Sequence, residues 1–445
     1  MRVSIVGAGY VGVVTGACLA DLGHEVALAD LDAEKVAALE AGSSPIYEPG
    51  LGELVARLAG ERLRATTDLA SAVAGSELTL VTVGTPDGEK GIDLGHVVSA
   101  ARTIGSVLAG KPGYHVVAIK STIVPGTTDG VVIPLLEEAS GKEAGVDFGV
   151  GVNPEFLTEG RAIVDFQEPD RIVLGACDER VHAALSTLYA DFPATVPRIL
   201  TNTRTAEMIK YASNALLATM ISFSNEIADL CSAVGGVDVV DAMRGVHLSH
   251  YLSPTGPGGE RVPAPISAYL EAGCGFGGSC LPKDVRALVA EAEGLERAMP
   301  ILRAVLQTNA ERPGAMLAIV ERELGEISGK RITVLGLAFK PDTDDVRESP
   351  AVPIVRKLEA AGAAVTVHDS VVGVLPPALA GLAVKLVEDL GDAIRGADAI
   401  VIVTRWREYE RLPELVAASD PQPIVVDGRR MLDPSSVERY AGVGR

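Results

Sequence analysis

In the N-terminal part of the chain, short runs of apolar and β-branched residues alternate with longer segments that have helical periodicity. The runs that resemble buried strands are Arg2–Val6, Glu25–Asp30, Leu78–Val83, Val116–Ser121, Phe148–Val152 and Arg171–Leu174. Apolar runs of this length, each followed by a helical pattern, are typical of a parallel sheet with helices on both faces. The pattern therefore predicts a doubly wound α/β fold.

The pattern changes near Thr205. The segment Ala206–Val234 contains neither proline nor glycine, so it predicts one long helix that ends at Gly235-Gly236. The stretch Ser253–Pro265 is rich in proline and glycine, which is typical of a loop or an insertion. After residue 329 the alternation returns, with strands expected near Arg331–Leu335, Val365–His368, Ile400–Val403 and Ile424–Val426.

The C-terminal part repeats features of the N-terminal part. The run Arg2–Gly7 parallels Arg331–Gly336, and the second strand of each part ends in an aspartate, Asp30 or Asp369. We therefore expect two Rossmann-like domains joined by a long central helix and a helical middle domain, with boundaries at residues 1–203, 204–313 and 314–445. A long central helix often carries a dimer interface, so a homodimer is expected.

Composition and charge exclude several classes of partner. The chain has 445 residues, too many for a single core, and a formal net charge of −20. This charge argues against nucleic acid or an anionic membrane as a partner, and an anionic substrate would need locally placed basic residues. No apolar run reaches the ~18 residues of a spanning helix, and Met1-Arg2 leaves no room for a signal peptide. The five cysteines lack zinc-site spacing, so we expect a cytoplasmic protein with reduced thiols and no metal.

The segment Gly7-Ala8-Gly9-Tyr10-Val11-Gly12 follows a strand and opens a helix. Glycine at these positions allows a tight turn and close approach of a pyrophosphate, which then lies at the helix N-terminus. Asp30 ends the next strand at about the ~20-residue spacing at which a carboxylate binds the ribose 2′-OH of a dinucleotide. Because that carboxylate would repel a 2′-phosphate, the sequence predicts NAD rather than NADP. The corresponding segment Gly336–Lys340 lacks the second and third glycines, so the C-terminal domain is expected to bind something else.

A second glycine-rich segment carries a cysteine. In Gly275-Phe276-Gly277-Gly278-Ser279-Cys280 the thiol follows the glycines, and Lys283 and Asp284 come three and four residues later. A nearby ammonium group favours the thiolate, which is the nucleophilic form. The alternative is an ordinary free cysteine in a turn. Together with a nicotinamide site, an activated thiol indicates oxidation through a covalent intermediate.

With these motifs in place, the chain resembles the UDP-glucose/GDP-mannose dehydrogenase family over nearly its whole length. The shared motifs are Gly7–Gly12, Val83–Pro86, Lys120–Thr122, Asn153–Leu157, Ala206–Tyr211, the cysteine segment and Arg347–Pro350. The resemblance implies an enzyme that oxidises the C6 alcohol of a nucleotide sugar to a carboxylate with two NAD, through a thiohemiacetal and a thioester on Cys280. It also implies that residues 1–203 bind NAD, that 204–313 form the dimer and carry the cysteine loop, and that 314–445 bind the nucleotide sugar.

The resemblance further implies roles for individual residues. The catalytic set is Cys280 as nucleophile, Lys210 and Asn214 directed at the reacting oxygen, Glu155 in proton transfer and thioester hydrolysis, and Asp284 with Thr122 holding a water. Lys210 and Asn214 are four residues apart on one helix face, where their donors could stabilise an oxyanion. For Glu207, on the same face, a catalytic role and an exposed ion pair with Lys210 are both open.

The remaining site residues follow from the same resemblance. The NAD-lining positions are Gly7, Gly9, Tyr10, Val11, Gly12, Asp30, Lys35, Thr85, Thr122, Glu155, Lys283 and Arg347. The nucleotide-sugar positions are Phe156, Leu157, Glu159, Lys210, Asn214, Tyr269, Gly277, Lys340 and Arg429. Lys340 and Arg429 suit a pyrophosphate because they supply positive charge in a very acidic protein; the alternative for each is an ordinary surface cation.

Departures from the family pattern leave the sugar and base open. Arg261-Val262-Pro263 lacks the glycine of the Arg-Ile-Gly triplet that is usual in UDP-glucose members, and whether Arg261 reaches a substrate is open. The segment Cys280–Leu288 resembles GDP-mannose enzymes, whereas Val401–Trp406 and Val426–Arg430 resemble UDP-glucose enzymes. We expect UDP-glucose, with GDP-mannose as the alternative.

Two other classes of protein share parts of this pattern. A two-electron β-hydroxyacid-type dehydrogenase has a Rossmann domain, a long helix and a lysine, but it needs neither Cys280 nor a second Rossmann half. A non-catalytic protein that binds nucleotide sugars would be expected to lack part of the catalytic set, and all of that set is present.

Overall fold

The computed structural model describes residues 1–88, 91–256 and 258–445. Within the predicted loop Ser253–Pro265, Pro257 lies outside the described residues. The chain divides into two compact units, Met1–Ser213 and Asn214–Arg445. The predicted division into three domains stays a prediction.

The first unit alternates strands and helices in the predicted way. Its strands are β1 (Arg2–Val6), β2 (Glu25–Ala29), β3 (Leu63–Thr66), β4 (Leu78–Val81), β5 (Asp87–Gly88), β6 (Gly91–Ile92), β7 (Val116–Ile119), β8 (Gly149–Val152), β9 (Ile172–Ala176) and β10 (Arg198–Thr201). Its helices are α1 (Tyr10–Asp21), α2 (Ala33–Glu40), α3 (Leu51–Leu58), α4 (Leu69–Gly75), α5 (Gly95–Gly110), a π-helical turn at Thr128–Val132, α6 (Ile133–Ser140), α7 (Ala162–Gln167) and α8 (Glu179–Leu188).

Eight of these strands form one sheet in the order β10-β9-β8-β7-β4-β1-β2-β3. The strand order reverses beside β1, and in a doubly wound sheet ligands bind at the carboxyl ends of the strands at such a point. The predicted parallel sheet has one exception, because β9 pairs antiparallel with β8. The central strands β4 and β7 are buried along their whole length, which is why they read as continuous apolar runs.

A helix of 32 residues, α9 (Thr203–Val234), begins in the first unit and continues into the second. It confirms the predicted long helix and starts three residues earlier than expected. Lys210 and Asn214 lie one turn apart on it.

The second unit contains the remaining helices and a second sheet. Its helices are α10 (Val239–His247), α11 (Leu281–Gly294), α12 (Pro300–Leu324), α13 (Ala351–Ala360), α14 (Leu390–Ile394) and α15 (Leu412–Ala417). Its strands are β11 (Arg331–Leu335), β12 (Ala364–His368), β13 (Val384–Leu386), β14 (Ala399–Ile402), β15 (Ile424–Asp427) and β16 (Tyr440–Gly442). They form a parallel sheet in the order β13-β12-β11-β14-β15-β16.

The internal repeat expected from the sequence is present in the geometry of the two first turns. After β1, the Gly7 N–H donates to the carbonyl oxygen of Ala29 at 2.8 Å, and the next N–H donates to Asp30. After β11, the Gly336 N–H donates to the carbonyl oxygen of His368 at 2.8 Å, and the next N–H donates to Asp369. In both units the first strand is flanked by the second strand on one side and by a later strand on the other. The predicted fold class is therefore confirmed.

Candidate active site

The glycine-rich turn after β1 has the geometry of a dinucleotide site. Gly7 has a φ of +108°, which favours glycine. A side chain at Gly12 would overlap the carbonyl oxygen of Gly7, whereas one at Gly9 would meet no atom within 4 Å. Gly9 caps α1 without a side-chain hydrogen bond, so no capping side chain occupies the first N–H groups of the helix. These residues fit the pyrophosphate of NAD.

Asp30 lies at the expected end of β2. One of its carboxylate oxygens accepts from the Ala8 N–H at 2.5 Å, and the other accepts from the Asp32 N–H at 2.9 Å. The carboxylate is therefore held against the glycine turn, where a dinucleotide ribose would lie. Lys35, predicted to line the same site, forms a 3.8 Å ion pair with Asp32 at the start of α2.

Three further residues predicted to line the NAD site have partners inside the first unit. The hydroxyl of Tyr10 donates to the carboxylate of Glu48 and accepts from the Gly160 N–H. Burial raises the pKa of this phenol, so it acts as a neutral donor. The Thr85 hydroxyl donates at 2.8 Å to the carbonyl oxygen of Thr122, which joins the segments that follow β4 and β7.

A buried ion pair connects α9 with the turn after β8. The ammonium of Lys210 lies 2.8 Å from the carboxylate of Glu155, and both side chains are about one-twentieth exposed. The Leu157 N–H donates to the same carboxylate at 2.6 Å. Burial alone would raise the pKa of Glu155, but the Lys210 charge outweighs this effect and holds that pKa below its ordinary value. The pair therefore keeps an ionised base beside an ammonium group.

Phe156, predicted to contact the sugar, packs between cations. The Arg171 guanidinium lies 3.8 Å from its ring centroid and the Lys210 ammonium 5.6 Å. Leu157 and Glu159 follow on the same partly buried turn. The structure thus brings the predicted residues Glu155 and Phe156 together with Lys210.

Glu207 forms no exposed ion pair, so that alternative is wrong. Its side chain is 2% exposed. One carboxylate oxygen accepts from the Gly126 N–H at 2.6 Å, and the other accepts from the N–H and the hydroxyl of Thr128 at 2.9 and 2.6 Å. Beside them, Asp129 accepts from Thr203 and Arg204, each at 2.7 Å. The first turns of α9 are therefore bound to the π-helical turn that follows the Thr122 segment.

In the second unit, the cysteine segment ends at the start of α11. Cys280 caps this helix and its side chain is exposed. The helix dipole favours an anion at this position and so favours the thiolate. Asp284, in the first turn, is buried and accepts from the Asn214 amide at 2.6 Å and from the Lys283 ammonium at 2.7 Å. Asn214 thus has one of its two amide donors engaged.

The loop before Cys280 is held by two polar side chains of α12, one partly buried and one fully buried. Asn309 accepts from the Phe276 N–H at 2.8 Å and donates to its carbonyl oxygen at 3.0 Å. Arg312, 1% exposed, donates to the Gly273 carbonyl oxygen at 3.2 Å. Gly278 has a φ of +80°, and a side chain there would lie 2.8 Å from the ring of Phe339. The glycines therefore permit a close packing that fixes where the thiol begins.

Predicted substrate residues in the second unit differ in their surroundings. Arg429 is no surface cation, because it donates to the carbonyl oxygens of Val403 at 2.5 Å and of Gly275 at 3.1 Å, and burial lowers its pKa. Its position links β14 and β15 to the cysteine loop. Lys340 lies 5.7 Å from the Phe339 ring, and Tyr269 ends the 3₁₀ helix Pro265–Tyr269.

Arg347 and Arg261 have partners on their own segments. Arg347 makes a bidentate ion pair with Asp345, with its closest contact at 2.7 Å. Arg261 hydrogen-bonds the His250 ring and the Ser253 carbonyl oxygen at 2.8 Å. Each cation is therefore engaged within the second unit.

The sequence analysis placed Lys120 in a shared motif but gave it no role, although the structure buries its charge. Lys120 follows β7, is 4% exposed, and donates to the Asn153 side chain at 3.1 Å. A lysine directly after an apolar strand was the available signal.

In the described part of the chain, no helix is long and apolar enough to cross a bilayer. Within that same part, no group of three or more His, Cys, Asp or Glu side chains is placed to hold a metal ion.

Comparison with known proteins gives the class of this protein. Residues 1–193 match the NAD binding domain, residues 204–311 the central domain, and residues 333–434 the UDP binding domain of one dehydrogenase family. Together with the glycine turn, these matches define an NAD-dependent nucleotide-sugar dehydrogenase. The chain belongs to the UDP-glucose/GDP-mannose dehydrogenase family, as its sequence predicted.

Full-length relatives carry both substrate names. The chain is 41% identical to a UDP-glucose 6-dehydrogenase of Haloferax volcanii, covering 97% of each chain. It is 37% identical to a GDP-mannose 6-dehydrogenase of Pseudomonas putida, covering 100% of each. Among solved structures, a UDP-glucose dehydrogenase of Pyrobaculum islandicum has a TM-score of 0.89 at 39% identity, covering 99% of this chain and 97% of that one.

Proposed function

We propose that this protein oxidises UDP-glucose to UDP-glucuronate through a covalent intermediate on Cys280. The observation that carries the mechanism is the exposed thiol at the N-terminus of α11, behind a loop whose glycines are packed against Phe339 and α12. The substrate is supported by the names of the relatives and by the match to a UDP binding domain.

NAD, when bound, supplies the hydride acceptor for both oxidations. The sugar C6 alcohol first loses a hydride and a proton and becomes an aldehyde. The Cys280 thiolate then adds to the aldehyde carbon, and the oxygen takes a proton, which gives a thiohemiacetal. Loss of a second hydride and that proton gives a thioester. Water attacks its carbonyl carbon and gives up one proton to a base. The C–S bond then breaks, which restores the Cys280 thiolate and releases the carboxylic acid.

The residues of the first unit suit the proton and charge changes in this sequence. Glu155 is ionised and can accept protons, and Lys210 beside it can donate to an oxyanion. In the second unit, Asp284 holds the Asn214 amide and the Lys283 ammonium. We assign Asn214 to the reacting oxygen through its second donor and Asp284, with Thr122, to the attacking water.

GDP-mannose remains the second candidate, since a full-length relative of similar identity carries that name. The residues after Cys280 also resemble GDP-mannose enzymes.

We also propose a homodimer through α9. Leu216, Phe223 and Leu230 are spaced by seven residues and are 52%, 49% and 60% exposed. An apolar stripe with this spacing is typical of a helix that packs against another helix.

The test is the number of NADH formed per limiting sugar, with UDP-glucose and GDP-mannose assayed separately. We expect two NADH per UDP-glucose for the wild type and for Cys177→Ser, which removes an exposed thiol of the other unit. For Cys280→Ser we expect the second oxidation and the release of acid to be lost. One NADH per sugar, unchanged in Cys280→Ser, would contradict the thioester route. Two NADH from GDP-mannose alone would correct the substrate.

A further inference from the structure

Lys120 is a buried cation that the proposed reaction does not use. It follows β7, and its ammonium donates at 3.1 Å to the side-chain oxygen of Asn153. The same oxygen accepts from the Tyr189 hydroxyl at 2.5 Å, while the Asn153 amide donates to the Val173 carbonyl oxygen at 3.1 Å. Asn153 is thus held by three partners at the start of the turn that carries Glu155.

The charges around this turn do not cancel. Lys120 and Lys210 are two cations, and both interact electrostatically with one carboxylate, that of Glu155. Near this turn, the Arg171 guanidinium lies against Phe156 and is paired with Asp170 at 2.6 Å. The Glu207 carboxylate accepts from the Gly126 and Thr128 N–H groups instead. An ion pair alone would be neutral, so the second lysine gives the cluster surplus positive charge.

This surplus has a cost, which the titration behaviour of Lys120 reflects. Burial lowers the pKa of Lys120 to about 8; the Glu155 carboxylate acts against this change and the Lys210 ammonium adds to it. A buried cation of this kind is expensive unless it is paired. A second buried cation beside the ion pair is therefore costly, and a functional role would account for that cost.

We propose that Lys120 is a positioning residue that holds the Asn153–Glu155 turn and supplies the positive charge which frees Lys210 to stabilise the oxyanion of the substrate. The inference rests on the proposed function. With Lys120 present, Glu155 keeps a neighbouring cation when the charge of Lys210 is directed at the sugar oxygen. Without it, Lys210 can serve the oxyanion only by leaving a buried carboxylate without a compensating charge.

The experiment measures kcat, the KM for NAD and the pH dependence of kcat for Lys120→Met, Lys120→Arg and the surface control Lys385→Met. Removing an electrostatic donor at an active site typically costs ~10²–10³ in kcat. Because Lys120 acts through Lys210, we expect Lys120→Met to lower kcat by about 10- to 100-fold. The KM for NAD should change little, and the control should match the wild type.

The pH profile separates this role from simple support of the fold. Wild-type kcat should fall as the pH rises through about 8, where Lys120 loses its proton. Lys120→Met should lack this fall in kcat. Lys120→Arg, whose charge does not titrate, should keep part of the activity and should also lack the fall. A Lys120→Met enzyme with wild-type kcat, or with an unchanged alkaline step, would overturn the proposal.

A second readout needs no activity. The folded state binds the Lys120 proton less tightly than the unfolded chain, so between about pH 8 and 10 the unfolded state holds more protons and folding stability rises with pH. The urea midpoint of the wild type should therefore rise relative to that of Lys120→Met across this range, even if the arginine variant does not fold. If the urea midpoint of the wild type does not rise relative to that of Lys120→Met, the inference that Lys120 is a buried cation is overturned. A wild type that turns over neither nucleotide sugar would instead sink the proposed function, and this inference with it.

Discussion

Replacing Glu207 with alanine should loosen the attachment of α9 to the segment that follows Thr122. The carboxylate is buried and accepts from Gly126 N–H, Thr128 N–H and the Thr128 hydroxyl. The hydroxyl can turn to another acceptor, but the two backbone N–H groups are left without one. Each buried donor without a partner costs about 1–3 kcal/mol. The substitution also removes a desolvated carboxyl group, so we expect a net loss of about 3 kcal/mol in the free energy of unfolding.

Glutamine at the same position gives an intermediate case. It keeps the volume and one carbonyl oxygen, but its NH₂ group must face one of the donors that the carboxylate accepted. We therefore expect a loss of about 1–2 kcal/mol. Arg204→Ala is the matched control, because it removes an exposed ion pair with Asp129 on the same helix turn; such pairs are worth less than about 1 kcal/mol.

Urea unfolding followed by far-UV circular dichroism measures these differences. The single tryptophan, Trp406, lies in the second unit, so its fluorescence reports that unit separately. If Glu207→Ala lowers the free energy of unfolding by no more than Arg204→Ala does, the buried hydrogen bonds of Glu207 do not stabilise the start of α9.

The pH dependence gives a further check on the same residue. Burial raises the pKa of Glu207, so the folded state binds its proton more tightly than the unfolded chain does. The resulting stability is present at low pH and is lost as the pH rises through the raised pKa. Relative to Glu207→Gln, the wild type should therefore gain stability as the pH falls through this range; a constant difference would contradict the shift.

Three other substitutions test the cofactor turn, the cysteine loop and the helix surface. Asp30→Ala should raise the KM for NAD and improve the use of NADP, measured by steady-state kinetics, and an unchanged preference would argue against the ribose contact. Gly278→Ala, at positive φ and against the ring of Phe339, should lower kcat by more than about 10-fold. The control Gly314→Ala, in an open helical position, should leave kcat unchanged. Equal kcat values for the two variants would exclude a positional role for the loop. Leu230→Glu should convert a dimer to a monomer in light scattering, and a stable dimer would place the interface elsewhere.

Sequence patterns identified the centre of each sheet but not its edges. The strands missed in the two main sheets, β3, β10, β13 and β16, are the edge strands. An edge strand is covered on fewer sides and carries a weaker apolar pattern; β13, for example, has no buried residue. The reversed direction of β9 was also missed, because an apolar run has no direction.

For the site, the sequence patterns likewise identified some features but not others. The glycine turn and the positions of Asp30 and Cys280 relative to their helices were readable, since glycine spacing and helix starts are local properties. The roles of the predicted site residues remain predictions.

The sequence by itself determined the fold class, the NAD-binding turn and the family of this protein, because each depends on residues close together in the chain or on motifs in a set order. Only the tertiary structure decided the partners of the buried charges. Lys120 meets Asn153 across 33 positions, and Glu207 meets Gly126 across 81. A charge can bind any donor or acceptor that folding brings within reach, so its partner is set by the packing of the strands and helices that carry it.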